Sequence, residues 1–132
     1  MTASTIYKIV LMLKRRPGMS FEAFRDYYER HHAPLAGRHG AAALTRYIRR
    51  YLVPQDHPEN GPAGELPFDV LTEMWFEDEQ TFDATLAFIT TTASPAEIVA
   101  DEMELFDRSA MRIATVIERE TNLNAVPAAQ RD

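Results

Sequence analysis

Apolar positions in the first third of the chain change period once, and the change marks where a strand gives way to a helix. Over residues 7–13, Tyr7, Ile9, Leu11 and Leu13 share one strand face while Lys8, Val10 and Met12 share the other. Both rows carry apolar side chains, which predicts a strand covered on two sides. Pro17 and Gly18 mark a turn. Ser20 follows as an N-cap, and Met19 with Phe24 takes the N′ and N4 places of a hydrophobic staple, so a helix is predicted from Phe21. It reaches His31 and His32, and Pro34 is expected to stop it.

Residues 36–43 read as a small-residue linker. Residues 44–53 alternate again, with Thr45, Tyr47, Arg49, Tyr51 and Val53 against Leu44, Arg46, Ile48, Arg50 and Leu52, a second strand whose arginines suit a sheet edge. Residues 54–67 hold four prolines and two glycines and predict a long surface loop, with a third strand over 68–76. Asp78 caps a helix running to Phe88. Ser94-Pro-Ala-Glu97 reads as a capping box with Pro at N1, opening a further helix from Pro95 to about Phe106. Met111, Ile113, Thr115 and Ile117 alternate with Ala110, Arg112, Ala114 and Val116 in a fourth strand over 109–118. Residues 1–120 therefore form one domain, and 121–132 a weakly ordered tail. The order strand, helix, strand, strand, helix, strand is the α+β ferredoxin-like split βαβ, with one four-stranded antiparallel sheet. Helices on one face leave the other bare although it is apolar. The economical cover is a second copy, a symmetric homodimer with two sheets face to face.

At 132 residues, a single domain can bury a core. A net charge of -6 argues against nucleic-acid or anionic-membrane partners. Without cysteine there is no disulfide, thiolate metal site or Cys nucleophile. Residues 1–6 lack signal-peptide character, and no apolar run approaches the ~20 residues of a membrane span, so a cytoplasmic protein is expected. The four histidines show no rigid ligand spacing, and no metal site is expected. Glycine-rich phosphate loops and a local Ser-nucleophile signature are absent as well.

The run from Lys8 to Leu35, through Lys14-Arg-Arg-Pro-Gly-Met-Ser-Phe-Glu-Ala-Phe and Tyr27-Tyr-Glu-Arg-His-His-Ala-Pro, resembles the opening of EthD-family proteins of the dimeric α+β barrel superfamily. Arg46-Tyr47, Phe68-Asp69, the run from Glu73 to Phe76, Ala100-Asp101 and Glu118 extend the resemblance over roughly residues 6–120. It implies a homodimer with a pocket between sheet and helices. Relatives act on aromatic polyketides or aromatic breakdown products as dehydratases, cyclases or isomerases, commonly without a metal or organic cofactor. Where relatives often carry a His near the end of the second strand, this chain has Tyr51.

In the split βαβ topology the first helix ends near the start of strands one and two and the end of strand three, which groups His32 with Tyr7, Tyr47 and Trp75. Histidine gives and takes protons near neutral pH, and a tyrosine hydroxyl donates to a developing oxyanion, so His32 and Tyr47 are the candidate catalytic pair. Tyr7, Phe24, Tyr28, Tyr51 and Trp75 are the candidates to line an aromatic substrate. A second account stays open, in which His32 answers the helix dipole and the aromatic residues fill core. His31 points about 100° away from His32 on an ideal helix and is expected outside the pocket. Asp69 and Glu73 are expected to pair with arginines, and Asp101 and Glu102 to form a solvated or arginine-paired face remote from His32. Arginines 46, 49 and 50 read as a solvated edge. Function is read first as a cofactor-independent acid/base enzyme acting on a small aromatic or polyketide-like compound. The alternatives are a non-catalytic binding or accessory protein of an oxygenase pathway, and a cofactor-free or haem-linked monooxygenase of the same superfold.

Overall fold

The computed structural model describes residues 5–40 and 43–125. Of the segments read above, residues 1–4, 41–42 and 126–132, the last including most of the expected tail, lie outside the described residues. β1 (Tyr7–Leu13), β2 (Arg46–Tyr51), β3 (Val70–Phe76) and β4 (Arg112–Thr115) form one antiparallel sheet in the order β2-β3-β1-β4. This is the ferredoxin-like split βαβ. Strand two is shorter than its alternation suggests. β4 is shorter still, because Arg108–Ala110 form a helical turn and only Arg112–Thr115 pair with β1, which they meet from Met12 back to Ile9.

Ser20 caps α1 (Phe21–Tyr27) by accepting from the Ala23 amide at 3.1 Å, and Gly18 sits at φ 83°, a left-handed turn position that favours glycine. Met19 packs on the cluster that holds Phe24, as the staple requires. Pro34 does not stop the helix. A π turn over Tyr28–His32 widens the ladder, so that the Ala33 amide donates to the Tyr28 carbonyl, and α2 (Ala33–Gly40) runs on without a break. A helical proline is costly because its ring meets the carbonyl four residues back, and the widened turn relieves that collision. Residues 36–40, expected as linker, are consequently helical.

Asp78 caps α3 (Glu79–Thr91), its carboxylate accepting from the Thr81 amide at 2.9 Å. The crossover breaks at Thr92 and resumes in α4 (Ala96–Met103). Pro95, not Ser94, occupies the N-cap there, and no side-chain cap forms, so the expected capping box is not made. Beyond α4 the chain docks on the residues after β1: the Arg16 amide donates to the Leu105 carbonyl at 2.8 Å, and Phe106 bridges Arg15. Leu105 and Phe106 thereby join Leu13, Phe24, Tyr28 and Val70 in the core.

Register assigns the two faces. Tyr7, Ile9, Leu11 and Leu13 stand opposite Phe76, Met74, Thr72 and Val70, which in turn stand beside Tyr47, Arg49 and Tyr51; this is the helix-covered face. Lys8, Val10, Met12, Leu71, Glu73, Trp75, Arg46, Ile48 and Arg50 share the other. Asp69 is buried, accepts from the Arg15 amide at 2.9 Å and lies 3.3 Å from the Lys14 ammonium. Glu73 pairs with Arg50 at 2.6 Å and accepts from the Trp75 indole at 2.8 Å. Both carboxylates are thus in the cation-paired roles expected of them.

Candidate functional site

Because the first helix continues through its π turn, Tyr28, His32, Ala36 and His39 fall on one face and form one wall of a cavity of about 620 Å³. α3 supplies Thr81, Thr85 and Phe88, and the segment from α4 supplies Ile98, Glu102 and Phe106, each set at helical spacing. The sheet closes the floor with Leu11, Leu13, Tyr47 and Met74. The lining is mostly apolar with a few convergent polar groups, the usual character of a small-molecule site.

His32 is 4% exposed, between the edges of Tyr28 and Phe106. Its Nδ1 lies 2.9 Å from Asp101 Oδ2, and the Tyr27 hydroxyl donates to the other carboxylate oxygen at 2.6 Å. A carboxylate only accepts, so Nδ1 carries the hydrogen and Nε2 is the nitrogen open to proton exchange. The bond to Asp101, with burial, pushes Tyr27 up to about 12. The acid on α4 expected to be remote from His32 is therefore its orienting partner.

Below it runs a chain of hydroxyls. Tyr28 and Thr72 share a 2.6 Å hydrogen bond inside the core, and the Tyr28 hydroxyl stands 3.3 Å from that of Tyr47. Burial raises both tyrosines, Tyr28 well above the ordinary value, so both stay protonated and act as hydrogen-bond donors. Glu102 is buried on the cavity wall, and its Oε1 has no hydrogen-bond partner; Arg108 Nε stands 3.4 Å away without hydrogen-bond geometry. Burial raises its pKa against the opposing pull of His32 and Arg108. A carboxyl raised by folding favours the fold fully below its ordinary value of 4.5 and loses that contribution as pH rises through the folded value. Glu102→Gln stays neutral. It should melt near the wild-type temperature at about pH 4 and above it by about pH 8, which thermal melts across that range will read.

Of the seven residues singled out for the site, the fold brings His32, Tyr28 and Tyr47 together on the cavity. Phe24 is fully buried behind Tyr28, and Tyr51 donates to Glu29 at 2.6 Å, a carboxylate also gripped by both ends of the Arg49 guanidinium. Arg49 is therefore paired under the helices and not part of a solvated edge. Tyr7 faces α3, its hydroxyl 3.4 Å from Glu79 and its ring against Phe82. Trp75 lies on the opposite sheet face beneath Lys8 and Arg46. These four do not line the cavity. His31 is exposed against Tyr27, as expected. Asp101, Glu102 and His39 were missed, although the spacing Ile98, Glu102, Phe106 and the seven-residue step from His32 to His39 are both helical-face signals. The assumed break at Pro34 hid the second. Among the described residues no group of three His, Asp or Glu side chains is placed to hold a metal ion.

The EthD domain matches residues 16–109 of the chain. Two solved structures share its fold. One is an EthD-like protein from Ralstonia eutropha, with a TM-score of 0.53 and 20% identity over 86% of this chain and 95% of that one. The other is a hypothetical protein of Arabidopsis thaliana, with a TM-score of 0.51 and 14% identity over 88% and 90%. No curated protein matches the chain.

Proposed function

The chain belongs to the EthD domain family, and on that premise we propose that its cavity is the active site of an enzyme that moves protons on a small aromatic or polyketide-like compound. The reaction class is dehydration, cyclisation or isomerisation, without a metal or organic cofactor. The observation that carries this reading is His32, buried at the cavity wall with Nδ1 held by Asp101. Held in that way, Nε2 takes a proton from an acidified C–H or O–H of the substrate, and the imidazolium that forms is stabilised by Asp101. The Tyr47 hydroxyl, backed by Tyr28 and Thr72, donates to the oxygen on which charge develops. His32 then returns the proton, to a different carbon in isomerisation or to a departing hydroxyl in dehydration. Deuterium uptake from D2O at the enolisable carbon of 2-tetralone tests the step. Wild type should accelerate it and His32→Gln should not; equal rates would leave a binding protein.

The same proposal includes a homodimer. Both crossovers cover one sheet face, while Val10, Met12, Ile48, Leu71 and Trp75 form a largely apolar patch on the other, with Glu73, paired to Arg50, between Val10 and Ile48 and with Lys8 and Arg46 beside Trp75. Packing two such faces removes the patch from water. Sedimentation at micromolar concentration should give twice 15.0 kDa, and Trp75→Glu should shift the population towards monomer. A stable wild-type monomer would overturn the arrangement.

A further inference from the structure

The cavity wall holds a buried acid, Glu102, whose base, Arg108, stands 3.4 Å from its Oε1 and does not itself line the cavity. Among its described lining residues there is no lysine or arginine, while Glu102 and Asp78 are both present. The two histidines on the wall are each engaged by an acid, His32 by Asp101 at 2.9 Å and His39 by Glu97 at 3.6 Å. Arg49, beside the Tyr47 ring, is held by Glu29. Glu102 itself is 7% exposed and lines the cavity, while its Oε1 is buried beside Arg108 without a hydrogen-bond partner, so the carboxyl is short of donors.

From this arrangement we propose that the cavity takes an uncharged, largely apolar molecule bearing a hydroxyl or carbonyl oxygen, and that this oxygen pairs with the Glu102 carboxyl. A carboxylate or phosphate ligand would enter an apolar, acid-lined space with no free cation to meet it, and an unpaired buried charge is strongly disfavoured. A neutral ring system with one oxygen function meets both features of the wall. Leu11, Leu13, Ile98 and Phe106 take the apolar body. The Glu102 carboxylate accepts from a hydroxyl, and burial, which raises its pKa, brings the protonated form that also donates to a carbonyl within easier reach. The inference rests on the cavity being the site proposed above, though not on turnover there.

Calorimetric titration of the full chain at neutral pH with 2-naphthol, naphthalene and 2-naphthoate separates these features. 2-Naphthol should bind about tenfold or more tightly than 2-naphthoate, and Glu102→Leu should reduce its advantage over naphthalene by up to about tenfold. Glu102→Gln keeps a hydrogen-bonding amide and loses the acid. It should hold 2-naphthol within a few-fold while narrowing the discrimination against 2-naphthoate. Equal affinity for 2-naphthoate and 2-naphthol in wild type overturns the proposal, as does discrimination unchanged in Glu102→Gln, or no binding by any of the three. A chain that ranks the ligands as expected yet exchanges no deuterium keeps this inference and loses the proposed reaction. One that exchanges deuterium but prefers the naphthoate does the reverse.

Discussion

His32→Gln should lower turnover by about 10²- to 10⁴-fold, the usual cost of losing one general acid or base. Glutamine keeps a hydrogen-bonding amide beside Asp101, whose other oxygen is still held by Tyr27 at 2.6 Å. The local network should survive, and the melting temperature should change far less than the rate. His31→Gln is the matched control. Its ring lies outside the cavity against Tyr27, 4.7 Å between centroids, and its loss should be nearly silent. Asp101→Asn should also reduce turnover while leaving ligand affinity close to wild type, because Asp101 acts by orienting the imidazole and does not line the cavity. Steady-state kinetics beside thermal melts will read all three. Equal losses at both histidines, or unchanged turnover in His32→Gln, would mean that the chemistry lies elsewhere.

Phe24→Ala should destabilise the protein by about 3–5 kcal/mol, the cost of a phenyl-sized cavity in a packed core. The ring is fully buried and meets the edges of Tyr28, Tyr51 and Phe106 at 5.8–6.3 Å between centroids. Two of those rings, Tyr28 and Phe106, also flank His32, so the loss should loosen the cavity wall as well as the core. Denaturant titration at fixed protein concentration will measure it, since an associating chain couples stability to concentration. A change below about 1 kcal/mol would mean that the neighbouring rings collapse into the gap.

The parts of this protein readable from sequence alone are those governed by neighbours in the chain. Period-two alternation marked β1 and β2, Ser20 and Asp78 marked helix starts, and the order of elements led to the split βαβ, because each signal is a contact within a few residues. Pro34 shows where such local rules end. A proline argues for a stop, yet the helix runs on, burying Ala33 and Leu35 and laying Tyr28, His32, Ala36 and His39 along the cavity, and a π turn accommodates the ring.

Only the tertiary structure decided which row of each strand faces inward. Alternation shows that Leu71, Glu73 and Trp75 share a face, but with both rows apolar it carries no direction. The register that pairs Trp75 with Lys8 and Arg46 turned it away from the cavity and turned Tyr47 towards it. The His32–Asp101 bond joins residues 69 positions apart, and nothing in either segment specifies it until α4 packs against the π turn. The acid character of Glu102 has the same origin. Its sequence neighbours read as a solvated helix face, whereas burial beside His32 and Phe106 removes water from the carboxyl and leaves its Oε1 without a hydrogen-bond partner.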